Sequence, residues 1–271
     1  MRLRVRHRSL FGYGAAPFAS LQRLRLRPRS GAGQSILHWD VRLENARFET
    51  AYGDGHGNAC DLVAAEGGGE PVVIACEGEA ETCERAGIVG AHDAPSRTWL
   101  YRRPTPLTAW EPQFAPLTEG LEHTPAGMHA LCERIRDRVD YRIGATDAAT
   151  TAGQAFGKGV GVCQDHAHIF LACARALGLP ARYVSGYLKL DDRDEQEAGH
   201  AWAEAFLPNL GWVGFDVSNG HSPDERYLRL AYGLDYRDAA PISGLLFNDA
   251  RSGELTETLA VALSVERITS Q

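Results

Sequence analysis

Residues 161–180 read GVCQDHAHIFLACARALGLP, and this stretch decides the fold of the second half of the chain. Apolar residues recur in it at the spacing of one helix face: Ala167, Phe170, Leu171, Ala174 and Leu177. Gly178 stands where a left-handed C-cap is favoured, and Pro180 prevents the helix from continuing. The pattern therefore predicts an amphipathic helix from about residue 163 to 177, with Cys163 in its first turn.

The segments on either side of this helix predict a mixed domain. Upstream, Thr124 and Pro125 form a helix-start signal, and apolar residues at helical spacing continue to about residue 139. Downstream, alternating apolar residues predict strands at 181–190, 200–207 and 212–217. Helices followed by consecutive strands are typical of an α+β domain, in which the helices pack on an antiparallel sheet.

The first hundred residues predict a separate β domain. Strand-like alternation occurs there at 2–8, 21–27, 36–43 and 71–76. Turn-forming clusters separate these segments, so we expect a small antiparallel β-sandwich. The tail from Leu255 to Ile268 also alternates and is expected to return as a strand.

A group of four prolines between Tyr101 and Leu117 marks the boundary between the two parts. Prolines at this density favour a stiff, extended backbone and remove amide donors. The predicted division is a β domain over 1–103, a Pro-rich connector over 104–118 and a core domain over 119–271.

The composition is that of an ordinary globular protein, with 44% hydrophobic and 23% charged residues. No run approaches the roughly 18 apolar residues that span a membrane, and the first residues alternate charged with apolar side chains instead of forming a secretory signal. We therefore expect a soluble, cytoplasmic protein with no membrane partner. The six cysteines show no disulfide framework and no paired CxxC motif, so free thiols are expected.

Arginines are concentrated before the first acidic residue, Asp40; they stand at positions 2, 4, 6, 8, 23, 25, 27 and 29. One interpretation is a nucleic-acid patch. The arginines fall on alternate residues, however, as expected for the solvent face of half-buried strands, and no stacking aromatics are interleaved with them. The second interpretation is favoured, and no nucleic-acid partner is expected.

Cys163 follows the glycine-rich segment 157–162 and opens a predicted helix. The backbone amides of a first helical turn lack intrahelical partners and carry partial positive charge. Such a position favours the thiolate, the species that attacks carbonyl groups, and the same amides can donate to an oxyanion. Cys163 is therefore a candidate nucleophile, whereas the other five cysteines are expected to be structural.

A base and an orienting carboxylate for this thiol are predicted on the two strands that follow. If the hairpin pairs Trp202 with Asp216, then His200 and Asp216 are diagonal neighbours on one face of the sheet. Asp216 could then hold the imidazole of His200 in one tautomer and stabilise its protonated form. The sequence thus predicts a Cys163–His200–Asp216 triad.

Cys163, His166 and His168 could also be interpreted as metal ligands. Residues 163 and 168 of a helix point about 140° apart, so these three side chains do not converge easily. We expect neither a metal nor a cofactor, and we interpret His168 as a buried, hydrogen-bonded histidine.

These residues carry a resemblance to the bacterial transglutaminase-like superfamily. The segments that resemble its core, in the expected order, are Gly161–His168, Leu177–Tyr187, His200–Glu204 and Gly211–Asp216. Arg25–Arg29 and Asp54–Asn58 are similar to the β domain that precedes the core in such proteins. The resemblance implies a papain-like, transglutaminase-type catalytic core, with Cys163 as nucleophile, His200 as base and Asp216 as orienting acid.

Two positions depart from the family pattern. His166 stands where an aromatic residue is usual, and Val217-Ser218 replaces a Pro-Thr pair. Neither position belongs to the triad.

The expected function is cysteine-dependent acyl transfer on a peptide or protein amide through a thioester intermediate. Hydrolysis, as in a peptidase or amidase, is the first expectation because water is always present and no second nucleophile site is evident. The alternatives are amine transfer, as in a transglutaminase, and a non-catalytic module that binds peptides.

Overall fold

A computed structural model describes residues 1–13, 19–65, 70–247 and 257–268. In chain order the strands are β1 (Arg2–Tyr13), β2 (Ala19–Arg27), β3 (Gln34–Glu44), β4 (Ala46–Gly53), β5 (Ala59–Ala65), β6 (Val72–Thr82), β7 (Ile88–Gly90), β8 (Asp140–Tyr141), β9 (Val160–Gly161), β10 (Ala181–Leu188), β11 (Glu195–Gln196), β12 (His200–Leu207), β13 (Gly211–Phe215), β14 (Tyr227–Gly233), β15 (Ile242–Phe247) and β16 (Glu257–Arg267). The α-helices are α1 (Ala115–Thr118), α2 (Pro125–Arg136), α3 (Ala152–Lys158), α4 (Cys163–Ala176) and α5 (Tyr236–Ala239).

The N-terminal strands form an antiparallel sandwich, as predicted. One sheet has the order β11-β16-β1-β6-β3 and the other the order β15-β2-β5-β4. Their inner faces share one apolar core, to which Leu3 and Val5 of β1 and Leu24 of β2 contribute fully buried side chains. Burial of alternate residues explains why this part of the chain forms strands.

The sandwich is completed by strands from the end of the chain. β15 pairs with β2, and β16 pairs with β1 over eleven residue pairs. The described part of the predicted tail strand is thus confirmed as a strand, whereas residues 255–256 lie outside the described residues. Conversely, β7, which precedes the Pro-rich segment, pairs with β13 of the second part. The chain therefore crosses between its two parts several times, and the division at 103, 118 and 119 stays a prediction.

The second part is an antiparallel sheet covered by helices, which confirms the predicted α+β fold class. Its strand order is β14-β10-β12-β13-β7. The first helix predicted there is α2, whose cap is Thr124, the side chain of which accepts a hydrogen bond from Gly127 N. Almost every residue of α4 from Asp165 onward is buried, because this helix lies between the sheet and the surrounding helices.

The hairpin of β12 and β13 has the register that the sequence analysis assumed. Ala203 lies opposite Phe215, and Glu204 lies opposite Gly214. The next position in the same register places Trp202 opposite Asp216. His200 and Asp216 are therefore diagonal neighbours across the hairpin.

One expectation for the N-terminal arginines was wrong. Arg25 was assigned to a solvent face, but it is buried between Leu24 and Leu26. The pairing of β2 with β5 shifts between Leu24 and Arg27, which interrupts the alternation. The Arg25 guanidinium pairs with Asp54 at 3.1 Å, and this partner explains how a charge is tolerated there.

Side chains of the second sheet enter the sandwich core and join the two parts. Tyr187 of β10 and Leu228 of β14 belong to the same apolar cluster as the sandwich residues. The hydroxyl of Tyr187 is hydrogen-bonded to Nδ1 of His7 at 2.9 Å. Burial lowers the pKa of His7 to about 4, so this histidine is neutral at physiological pH. The contact holds β1 beside the second sheet.

No helix in the described ranges has both the length and the apolar character needed to cross a bilayer.

We predict that β16 contributes directly to the stability of the sandwich. Leu263→Ala removes a side chain that is 4% exposed and is expected to lower the free energy of unfolding by about 2–4 kcal/mol. Leu259→Ala, on the same strand but 57% exposed, should change it by less than about 0.5 kcal/mol. Urea unfolding of both variants measures the difference. Equal effects would show that β16 does not pack as described.

Candidate active site

Cys163 is the first residue of α4, as predicted, and its side chain is half-buried. The turn that leads into the helix is held by Asp165, whose Oδ2 accepts hydrogen bonds from Val162 N at 2.8 Å and from the Thr146 hydroxyl at 2.5 Å. Asp165 lies in the third helical position, where a carboxylate typically satisfies free amides at a helix start. This arrangement fixes the position from which the Cys163 sulfur projects.

Two glycines before Cys163 have structural roles. Gly159 ends α3 in the left-handed conformation, with φ of 67°, which side chains disfavour. A Cβ atom at Gly161 would lie 2.7 Å from the Cβ of Asp165. Gly161 therefore allows the close packing of the Asp165 cap.

His200 and Asp216 are in direct contact. The imidazole Nε2 donates a hydrogen bond to Oδ2 of Asp216 over 2.6 Å. The His200 side chain is 12% exposed and Asp216 is fully buried. Cys163 and His200 line the same cavity, and the Cys163 side chain is one of the groups that raise the pKa of His200. The structure thus brings together all three residues singled out from the sequence.

The surroundings of His200 and Asp216 favour the charged form of each side chain. Burial by itself would lower the pKa of His200, but the hydrogen bond to Asp216 and the contact with Cys163 outweigh it and raise the pKa to about 10. Burial opposes ionisation of Asp216 as well, yet its hydrogen bonds lower the pKa of the carboxyl group to about 2.

Two residues that the sequence analysis missed hold Asp216 in place. The Tyr227 hydroxyl and the Asn219 amide each donate to Oδ2 of Asp216 at 2.7 Å. Asn219 follows Asp216 in a turn, so its proximity could have been inferred from the sequence. Tyr227 lies on β14, a different strand, and its contact with Asp216 depends on the tertiary packing.

The remaining cysteines differ from Cys163 in their surroundings. Four are buried: Cys60, Cys76, Cys132 and Cys173. Burial raises the pKa of each of these thiols, to about 11 for Cys76 and about 12 for Cys173. Cys83 is exposed. Protonated, buried thiols are poor nucleophiles, which agrees with a structural role for these four.

The two histidines that were considered as metal ligands make other contacts. His166 is hydrogen-bonded through Nδ1 to the Ser218 hydroxyl and through Nε2 to the Val139 carbonyl, both at 2.9 Å. Nε2 of His168 accepts from Tyr236 N at 3.2 Å, which confirms His168 as a buried, hydrogen-bonded histidine. Within the described ranges, no group of three or more His, Cys, Asp or Glu side chains is placed to hold a metal ion.

A cavity of about 1570 Å³ opens beside Cys163 and His200. Its walls come from both parts of the molecule. Tyr141, Leu188 and His200 belong to the second part, whereas β1, β6, β11 and β16 belong to one sheet of the sandwich. The sequence analysis did not predict a contribution of the sandwich, because the pairing of β16 with β1 is a contact between the two ends of the chain.

Comparison with known protein families agrees with the resemblance. Residues 113–217 match the model of the transglutaminase-like superfamily, and residues 3–81 match that of the bacterial transglutaminase-like N-terminal region. Together the two matches cover about two thirds of the chain.

Curated relatives are found in mycobacteria. An uncharacterized protein of Mycobacterium tuberculosis is 35% identical over 141 residues, which are 48% of this chain and 45% of that protein. The match therefore spans less than half of that relative. An uncharacterized protein of Mycobacterium leprae is 28% identical over 98% of this chain and 99% of its own length.

A solved structure shares the fold. It is described as "a Putative Cysteine Protease" from Cytophaga hutchinsonii, and it superimposes with a TM-score of 0.72 at 21% identity, covering all of this chain and 92% of that one. At this level of identity the match establishes the fold alone.

We predict that His200 titrates far above an ordinary histidine. Its charge stabilises the fold fully below pH 6.5, and this contribution is lost as the pH rises through about 10. The contribution of Asp216 is complete above pH 3.8 and is lost as the pH falls through about 2. NMR titration of the imidazole carbon-bound protons measures the His200 pKa directly.

Asp216→Asn should lower the pKa of His200. Burial lowers this pKa, and the variant lacks the carboxylate that opposes the effect of burial. Asp224→Asn serves as the matched control, since Asp224 pairs with Arg226 at 2.6 Å instead. A His200 pKa that stays the same in Asp216→Asn would show that the carboxylate does not control the imidazole.

Proposed function

The chain belongs to the transglutaminase-like superfamily, and on that premise we propose that it is a cysteine-dependent hydrolase of peptide or protein amides. The observation that supports the proposal most is the hydrogen bond of His200 to Asp216 in the cavity that Cys163 also lines, at the start of α4. A module that only binds peptides would not need a protonated imidazole beside a thiol.

The proposed reaction begins at the sulfur. The Cys163 thiolate adds to the amide carbonyl carbon, and a tetrahedral intermediate forms with its negative charge on oxygen. The backbone amides at the start of α4 lack partners within the helix and can donate to that oxyanion. The attacking sulfur and the backbone amides that stabilise the oxyanion thus belong to the same turn of α4.

His200 completes the first half of the reaction. Its Nδ1 proton is transferred to the leaving nitrogen, the carbon–nitrogen bond breaks, and an amine departs to leave a thioester on Cys163. Neutral His200 then accepts a proton from water, which attacks the thioester and releases the acid. Throughout, Asp216 holds the imidazole by its Nε2 proton and balances its charge.

We expect Cys163 to react with iodoacetamide at least about tenfold faster at pH 6 than Cys83, because the charged imidazole of His200 lines the same cavity as Cys163. Cys83 is the matched control, since its side chain is exposed. Mass spectrometric peptide mapping at timed intervals measures both rates.

His200→Ala should remove most of the difference, whereas His38→Ala, which changes an exposed histidine on β3, should preserve it. Labelling of Cys163 and Cys83 at equal rates in the native protein would contradict the proposal.

The fate of the thioester separates hydrolysis from amine transfer. With a glutamine-containing peptide, we expect ammonia release at a rate that added primary amine leaves unchanged, and a product that carries a new carboxylate. Ammonia assays combined with product masses measure this. Incorporation of the amine into most of the product would instead make the protein a transglutaminase, and Cys163→Ala should abolish either reaction.

A further inference from the structure

The outer face of β1 carries four arginines at alternate positions, and three of them are neutralised by neighbouring strands. Arg2 and Arg4 both pair with Glu79 of β6, at 2.7 and 2.6 Å. Arg6 pairs with Glu77 of β6 at 3.0 Å and with Glu266 of β16 at 2.7 Å. Glutamates on the two neighbouring strands thus balance the charges of Arg2, Arg4 and Arg6 through cross-strand pairs.

Arg8 is the exception. Its cross-strand neighbours are Ala75 on β6 and Ala262 on β16, neither of which carries charge. Arg8 is exposed and makes no hydrogen bond or ion pair with any described residue. The series of acidic partners along β1 therefore ends at Arg6, and Arg8 is the last arginine of the strand.

A second arginine lies in the same row of the sheet. Arg42 of β3 is paired with Ala75 from the other side, so Arg8 and Arg42 flank this alanine. The nearest acidic partner of Arg42 is Asp40 at 3.9 Å, with both side chains largely exposed, and such a contact contributes little. The row thus holds two cations around a small side chain.

This row lies in the cavity that contains the reacting groups. Arg8, Arg42, Ala75 and Ala262 line the same cavity as Cys163. The small side chain of Ala75 separates the two arginines, and Ala262 lies on the other side of Arg8. A chain bound with its amide carbonyl at the sulfur has this basic wall within the same cavity.

We propose that Arg8 and Arg42 form a subsite for a carboxylate, so that the preferred substrates are peptides with Asp or Glu near the scissile amide. The inference rests on the proposed function, since it names the substrate class of that site. Arginine forks bind carboxylates through two parallel hydrogen bonds, which are stronger than those between neutral groups.

Two acidic residues of the cavity wall favour a short acidic peptide over a nucleic acid. Glu195 and Glu197 line the cavity, and Glu195 lies on β11, which pairs with β16 in the same sheet as the arginines. A polyanionic backbone that runs through the cavity would be repelled by these two carboxylates. A peptide with a single acidic side chain can place it at the arginines and still avoid them.

The test is a set of peptides in which one Glu, or its isostere Gln, is moved through each position around the cleaved amide. The native protein should show a kcat/KM about fivefold to tenfold higher for Glu at the preferred position. Arg8→Ala with Arg42→Ala should abolish this preference with little change for the Gln peptide. Arg103→Ala, which removes an exposed arginine outside the cavity, should retain it.

Charge reversal gives a sharper result. Arg8→Glu should reverse the preference, so that a Lys peptide is cleaved faster than the Glu peptide, and rising ionic strength should weaken both preferences. A preference for Glu that survives in Arg8→Glu would overturn the subsite.

Peptide binding to Cys163→Ala, measured by fluorescence anisotropy, separates the subsite from the catalytic proposal. If no peptide is cleaved but the Glu peptide binds through Arg8 and Arg42, the subsite stands and the hydrolase proposal fails. If peptides are cleaved with no preference for Glu, the hydrolase stands and the subsite fails. Failure to cleave or to bind any peptide, or tighter binding of a single-stranded oligonucleotide than of the Glu peptide, overturns the subsite.

Discussion

The hydrogen bond between His200 and Asp216 is the interaction on which the candidate site depends. A fully buried carboxylate is costly unless donors surround it. Here the donors come from three places: the imidazole on β12, the Asn219 amide in the turn after β13 and the Tyr227 hydroxyl on β14. The same contacts keep the carboxylate ionised, and the ionised carboxylate keeps the imidazole charged. The site is therefore a property of the whole sheet and not of one hairpin.

The sandwich and the second sheet are linked by strand exchange and by a shared apolar core. β16 leaves the second part to pair with β1, and β11 pairs with β16 in turn. Tyr187 extends from the second sheet into the sandwich, where it meets His7. As a result the outer face of β1 and the start of α4 line one cavity, which contains Cys163 as well as Arg8 and Arg42. The N-terminal part thus contributes to the site as well as to the fold.

Much of this architecture could be read from local patterns. Helix α4 and its end at Gly178 follow from apolar spacing and from a residue that adopts the left-handed conformation readily. The two strands of the hairpin followed from the alternation of their side chains, whereas the register was assumed and agrees with the observed pairing. The alternation on β2 gave a wrong prediction for Arg25, because the pairing register shifts there and the side chain is buried. Asp54 balances its charge. Nothing local to β2 shows that shift.

The sequence by itself determined which elements form and which three residue types could do the chemistry, because periodicity, caps and turns act between residues close along the chain. Only the tertiary structure decided that Tyr227 supports Asp216, that the last described strand completes the first sheet, and that Arg8 lies opposite two alanines. Each of these depends on pairs far apart in sequence, such as Arg8 with Ala75 and Ala262. Burial of apolar faces selects such pairs across the whole molecule, and no short stretch of sequence contains that information.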